Sequence, residues 1–389
     1  MGQPLPRTVK ALGLVSLLND ASSEMIYPLL PAFLTTTLRG GPALLGLIEG
    51  LAETVASLLK VASGWWSDRL PRRKPLVVAG YGLASLTRPM IALATAPWHL
   101  FVLRLLDRVG TGTRGAPRDA LVAEVTPEQQ RGRAFGFHRA MDHAGAAIGP
   151  LLASAILLFR NDLRLLFALA SIPALLSLAV VIFGVREEAR RLPSPVCVGS
   201  GPRASLPPAF RRYLLVLALF TLGNSSDGFL LLRAQEAGVG LAAIPLLWTF
   251  HHLVKTFTST AGGVVSDRLG RKRTIVGGWF VYALAYAGFA AAQTPLHVFL
   301  VFALYGCFHA LTEGPERALV ADLAGAELRG RAFGLFHAVT GVMLLPASLL
   351  TGLLWQRFGA PTALGLGAAL AAAATVGLLL LVPERARGT

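Results

Sequence analysis

The chain has 389 residues, 54% of them hydrophobic and only 15% charged, with a mean hydropathy of +0.59. A soluble domain carries about 25% charged residues, and one core of this length cannot absorb so much apolar surface, whereas a bilayer can. The net charge of +15 would suggest nucleic acid in a soluble protein, but the positive residues lie in short loops between apolar runs, with no basic stripe or recognition module, which excludes a nucleic-acid partner.

A membrane-spanning helix needs about 20 mostly apolar residues. Twelve such runs follow one another, near 9–37, 43–63, 75–96, 98–120, 135–159, 163–184, 211–233, 240–262, 274–293, 296–320, 332–354 and 360–382. The first apolar stretch, Ala11–Leu18, is broken by Asn19, Asp20 and Glu24 and has no small-residue cleavage site after it, so it reads as an uncleaved first span. Several runs contain proline (Pro28, Pro31, Pro89, Pro117, Pro150, Pro173, Pro245, Pro315, Pro346), which a membrane helix tolerates when neighbours satisfy the freed carbonyls. Cys197 in a polar stretch and Cys307 in an apolar one make neither a disulfide framework nor a metal cluster.

Alternate loops carry most of the Lys and Arg, while the intervening loops hold only Arg39, Arg160, Arg164, Arg233 and Arg357. The positive-inside rule then places both termini and the long middle connection in the cytoplasm. The expected fold is an all-α membrane protein: twelve transmembrane helices in two pseudo-symmetric six-helix bundles, residues 1–184 and 211–389, joined by a cytoplasmic linker at 185–210 rich in Pro, Gly, Ser and Arg. The halves repeat. GWWSDRLPRRK at Gly64–Lys74 returns as GVVSDRLGRKR at Gly263–Arg273, PRDALVAE at Pro117–Glu124 as PERALVAD at Pro315–Asp322, and RGRAFGFH at Arg131–His138 as RGRAFGLFH at Arg329–His337. Six spans per unit give the copies the same orientation, as parallel repeats about an axis along the membrane normal.

These motifs resemble the major facilitator superfamily over essentially the whole chain. The family turn between spans two and three, G-x-x-x-D-R-x-G-R-[RK]-[RK], is matched by Gly64, Asp68, Arg69, Arg72 and Arg73, with Pro71 at the central Gly, and fully by Gly263, Asp267, Arg268, Gly270, Arg271 and Lys272. The resemblance implies a cytoplasmic latch in which Asp68, Arg69, Arg72, Arg73 and Glu124, with Asp267, Arg268, Arg271 and Asp322 in the second copy, hold that side closed. The other explanation is a topological signal plus solvated charge, since exposed ion pairs contribute only about 0–1 kcal/mol. That explanation does not account for an Asp in the same place twice.

A charge at the centre of a spanning helix costs about 2.5–3.5 kcal/mol on insertion scales, so such residues face a cavity or a partner. Asp20 and Glu24 in span one and Glu49 and Glu53 in span two lie four residues apart, each pair on one helix face. Span four adds Arg104 and Asp107, span five Asp142, span seven Asp227, span eight His252, and span ten His309 and Glu313. Together these form the candidate substrate and proton pathway, with Glu24, Glu53, Asp227, His252 and Glu313 as the candidate proton carriers. By resemblance, Arg104 occupies span four near the family's functional Arg. Two other readings stay open. His138/Asp142, His251/His252 and His309/Glu313 could ligate a transition metal, although no tight ligand motif exists. Arg104–Asp107, Arg108–Asp107, Glu313–Arg317 and Arg139–Asp142 could instead be internal ion pairs that fix packing.

Gly145, Gly149 and Pro150 form G-x-x-x-G-P in span five, a spacing that allows close helix approach. It resembles the span-five motif of the superfamily's drug–proton antiporters and tilts the direction toward export. No phosphate-binding loop or Ser/His/Asp elbow is present, so no enzyme activity and no cofactor is expected. The expected protein is a proton-coupled exporter of a small molecule in the cell membrane, acting as a monomer by alternating access, with lipid, substrate and protons as its partners. The alternatives are a divalent transition-metal exporter and a non-transporting membrane receptor or scaffold, which would show no flux in liposomes.

Overall fold

A computed structural model describes residues 4–127, 130–187 and 206–383; the side chains of Gly132, Thr260, Ala261, Gly263, Asp267, Gly325, Ala326, Glu327, Arg329 and Gly330 also lie outside the described set. Cys197 and most of the expected linker therefore fall outside it. The described residues form helices and no strand: α1 (Arg7–Ile26), α2 (Leu30–Ala32), α3 (Pro42–Ser67), α4 (Lys74–Ala92), α5 (Pro97–Glu124), α6 (Arg131–Phe159), α7 (Leu163–Gly184), α8 (Pro208–Gly223), α9 (Gly228–Glu236), α10 (Ala243–Leu269), α11 (Arg271–Ala291), α12 (Pro295–Phe358) and α13 (Ala360–Leu381). Seven segments among them are long and apolar enough to cross a membrane by themselves. The charge-rich α5 is not one of these. It is carried by its neighbours, because Arg104, Asp107 and Arg114 on it are buried against protein.

Two spans are discontinuous. After α1 the chain passes through a 3-10 turn at Tyr27–Leu29, the short α2 and a π-helical stretch at Phe33–Thr37. Pro28 and Pro31 cause this, since each lacks an N–H and crowds the preceding turn. Helical structure continues through Pro89, Pro117, Pro150, Pro173, Pro315 and Pro346. The second break lies between α8 and α9, where Asn224–Asp227 unwinds. Its freed backbone groups find local partners: Tyr282 Oη donates to Gly223 O at 3.1 Å, and Ser226 N donates to Ser348 Oγ at 3.1 Å. A break at membrane depth persists only when such partners exist.

The loop expected between spans ten and eleven is helical, so α12 runs unbroken for 64 residues. Its connecting stretch, ADLAGAELRGR, is rich in strong helix formers and has no proline. Pro295–Ala324 and Arg331–Phe358 are its two membrane-length halves.

The chain divides into two compact units, one of Met1–Gly40, Leu51–Cys197 and Gly240–Thr249, the other of Gly41–Gly50, Val198–Val239 and Phe250–Thr389. In the first, α1 packs on α6 and α7, and α4 on α5 and α7. The approach of α6 to α1 is backbone to backbone: a Cβ at Gly145 would strike the carbonyl oxygen of Leu17, and one at Gly149 that of Ala21. In the second unit α11 packs on α12 and α13, both of which also cover α8. Its core is aromatic, with Trp279, Tyr282, Tyr286, Phe289 and Phe302 fully buried.

The two copies of the repeated turn differ in shape. In the second, α10 meets α11 through Gly270 alone, at φ 95°. In the first, Pro71 stands at that point and cannot adopt a positive φ. The turn there is longer, with Asp68–Arg73 lying outside both helices.

Candidate functional site

The turn geometry decides which cation meets which acid. Arg73, just before α4, places Nη1 2.8 Å from Glu124 Oε2 and Nη2 2.8 Å from Asp68 Oδ1. In the second unit Arg271, the first residue of α11, pairs with Asp322 and also donates to Ala318 O at 2.9 Å. The offset that aligns Pro117 with Pro315 also aligns Glu124 with Asp322 and Arg73 with Arg271. Alignment by the turn motif itself would instead match Arg72 with Arg271. The extra residue of the Pro71 turn accounts for the difference. Arg72 is exposed, and Arg69 turns back on its own helix, with its guanidinium 3.5 Å from the Trp65 ring centre. Neither of these expected latch cations meets a described carboxylate. Asp267 lies outside the described side chains, and Arg268 is exposed on α10.

The first unit holds a buried charge network across α1, α4, α5 and α6. Arg88 on α4 is 3% exposed; its Nη1 donates to Asn19 O at 3.0 Å, and its Nη2 to Asn19 Oδ1 at 3.1 Å. Asp107 sits between two guanidinium groups, 3.5 Å from Arg88 Nε and 3.6 Å from Arg104 Nη1. Arg108 turns from Asp107 to Glu53, at 3.0 Å. Nearer the end of the unit that holds the repeated turn, Asp142 accepts a hydrogen bond from Ser16 Oγ and lies 3.5 Å from His138 and 3.6 Å from Arg139. Asp20 Oδ1 accepts from Asn19 Nδ2 at 2.9 Å. Glu24 differs from the rest: its carboxylate accepts from Trp248 Nε1 at 2.7 Å, with the Tyr27 ring packed against the indole.

In the second unit Asp227, at the break before α9, accepts from Tyr305 Oη at 2.6 Å. The Tyr305 ring stacks on His251 at 5.1 Å and meets His309 edge-on at 5.0 Å. Glu313 Oε1 is shared by Lys255 Nζ at 2.5 Å and His309 Nδ1 at 3.3 Å, so its partner is Lys255 rather than the Arg317 expected from spacing. Glu316 accepts from Trp279 Nε1 at 2.8 Å. His252 lies beside His251, and Glu49, on the segment of α3 assigned to this unit, is buried. Among the described residues, no group of three or more His, Cys, Asp or Glu could hold a metal ion.

The profile of the Major Facilitator Superfamily matches residues 12–251 and 213–389. The chain belongs to that superfamily. An uncharacterized MFS-type transporter of Methanocaldococcus jannaschii is 36% identical over 359 residues, covering 90% of this chain and 89% of the relative. A multidrug resistance protein MdtH of Photorhabdus laumondii is 35% identical over 133 residues, 34% of this chain and 33% of that one. The crystal structure of the nucleoside transporter NupG superposes with a TM-score of 0.80 at 14% identity, over 97% of this chain and all of that one, a likeness of fold. This is therefore a multi-pass integral membrane transporter with the twelve-helix fold of its superfamily.

Within this superfamily member, the carboxylates sort by the partner that holds them. Asp68, Glu124, Glu53, Asp107, Asp142, Glu313 and Asp322 each lie against a cation. Glu24, Asp227 and Glu316 accept from neutral indole or phenol groups. Protonating a paired acid in the bilayer orphans a buried cation, whereas protonating an acid held by an indole or phenol does not. The alignment of Pro117 with Pro315 brings Asp107 to Tyr305 and Arg88 to Tyr286. Buried charge in the first unit is thus replaced by aromatic side chains in the second. Sequence reasoning missed Arg88, Lys255, Trp248 and Tyr305. Arg88 was accessible to it, as the one cation inside the run 75–96. The two aromatic donors carry no charge to mark them.

Proposed function

We propose that this transporter exports a small molecule in exchange for protons by alternating access, as a monomer in the cell membrane with both termini cytoplasmic. The observation that carries the reading is Glu24: an acid on a broken spanning helix, held by the neutral Trp248 indole. Such a group can take up and release a proton without stranding a cation. Asp227, at the second helix break and held by Tyr305, has the same chemistry. Discontinuous helices at membrane depth are where transporters of this kind bind substrates and coupling ions. Export is supported by the relatives named for multidrug resistance.

The test is proton release in liposomes that contain the purified protein and a luminal pH dye. A panel of organic cations (ethidium, tetraphenylphosphonium) and an organic anion (benzoate) is added under an imposed pH gradient. At least one compound is expected to move protons in the wild type and not in Glu24→Gln. Proton movement that is the same in wild type and Glu24→Gln removes Glu24 as the carrier, and substrate flux that ignores the pH gradient overturns proton coupling.

A further inference from the structure

Besides the ionisable network, one built cavity stands at the edge of the first unit, where α4 begins and α7 ends. It has a volume of about 630 Å3. Three cations line it: Arg72 from the repeated turn, Lys74 at the first position of α4, and Arg186 just past α7. Its other wall is apolar, with Pro75 and Val78 on α4 and Phe183 on α7, the last 83% exposed. An apolar side chain so exposed at the end of a spanning helix suits contact with acyl chains. The cavity lies where charged side chains give way to apolar ones along α4 and α7.

The one carboxylate in the cavity is already engaged. Glu187 Oε1 accepts from Arg73 N at 2.6 Å and its Oε2 from Lys74 N at 2.7 Å, so it closes the N-terminus of α4. Lys74 Nζ donates to the carbonyls of Ile182 and Val185 at 2.7 Å each, capping the end of α7. These contacts fix the frame of the cavity and leave the exposed guanidinium groups of Arg72 and Arg186 at its mouth. Among the described residues, neither lies within ion-pair distance of a carboxylate. Arg73 holds the acids of the latch, so Arg72 has no part in that contact.

We propose that this cavity binds an anionic phospholipid of the adjoining leaflet. The phosphate lies between Arg72 and Arg186, and one acyl chain runs along Pro75, Val78 and Phe183. Guanidinium forks match phosphate oxygens, and basic pockets between helices at the membrane surface suit anionic head groups. A free phosphate would use the same cations but leave the apolar wall uncovered. The lipid covers both, and this chooses between the two sources.

The experiment is native mass spectrometry of the full chain in detergent, titrated with phosphatidylglycerol, with phosphatidylcholine, and with phosphatidylglycerol in the presence of inorganic phosphate. The wild type should retain phosphatidylglycerol on the order of tenfold more tightly than phosphatidylcholine, and inorganic phosphate should not displace it. The double substitution Arg72→Ala with Arg186→Ala should abolish the preference, while the charge-matched Arg211→Ala with Arg212→Ala retains it. An unchanged preference in the first pair, an equal loss in the control pair, or displacement by inorganic phosphate each overturns the proposal. Circular dichroism and elution profile establish that each variant is folded. Should the first pair not fold, Arg186→Gln alone is read by the same criteria.

Discussion

Arg73 and Glu124 meet at 2.8 Å, joining the turn before α4 to the end of α5, and the same guanidinium also holds Asp68. Arg73 is the buried partner, its side chain 9% exposed against 67% for Asp68 and 34% for Glu124. Removing it takes two charge-assisted hydrogen bonds from one place. Arg73→Ala should therefore lower stability in detergent by about 1–3 kcal/mol, read as a drop in Tm, whereas Arg72→Ala should leave Tm unchanged. Equal effects of the two would show that the turn contributes only bulk positive charge.

Arg88 supports a larger prediction. It is almost fully buried and holds both the backbone and the side chain of Asn19 besides facing Asp107. Arg88→Leu removes one of the two guanidinium groups within ion-pair distance of Asp107 and strands the Asn19 groups it held, and should cost about 3–5 kcal/mol. Arg88→Lys should rescue little of this, because an ammonium cannot reproduce the two parallel bonds to Asn19. Thermal unfolding of the two variants tests both statements, and a lysine variant as stable as wild type would contradict the second.

Glu53 and Glu24 looked alike in sequence and should now behave differently. Glu53→Gln weakens the contact with Arg108 and should lower Tm; combining it with Arg108→Gln should recover part of that loss, as coupling in a double-mutant cycle. Glu24→Gln keeps an oxygen that accepts from Trp248, so Tm should hold while proton release is lost. Comparing Tm with proton release across the three variants separates packing from coupling.

The close passage of α6 over α1 has no room for a side chain at Gly149, whose added Cβ would meet the Ala21 carbonyl. Gly149→Leu should lower Tm strongly and Gly149→Ala less so, since both drive the helices apart. Gly82→Ala is the control: the nearest atom to its Cβ is Leu178 Cδ1, at 3.9 Å. A tolerated Gly149→Leu would mean that the helices slide apart at little cost.

Much of this was legible in the chain because it depends on local pattern. Apolar runs of membrane length marked the spans, and the duplicated turn marked the repeat. Asp68, Arg73 and Glu124 could be placed at one end of the first unit from loop position alone. Partner choice was another matter. Spacing on one helix suggested Arg108–Asp107 and Glu313–Arg317, but the structure pairs Arg108 with Glu53 and Glu313 with Lys255, each from another helix. A long cation on a spanning helix selects among carboxylates on every helix packed against it, so the near-sequence candidate is kept in Arg104–Asp107 and Arg139–Asp142 and passed over in the other two. The prolines show the same limit: Pro28 and Pro31 break the first span, while Pro89 and Pro150 stay within continuous helices.

The sequence by itself determined that this is a membrane protein built from two copies of a six-span unit, because hydropathy and repetition are legible in the order of residues, and its motifs carried the resemblance to a transporter family. It also determined where buried charge must lie, since a charge in an apolar run needs a partner wherever that partner comes from. Only the tertiary structure decided which partner that is. Trp248 on Glu24, Tyr305 on Asp227 and Arg73 on Glu124 are contacts between residues far apart in the chain, set by helix rotation and by the longer turn where Pro71 replaces glycine. Those contacts divide the acids held by a cation from those held by a neutral indole or phenol.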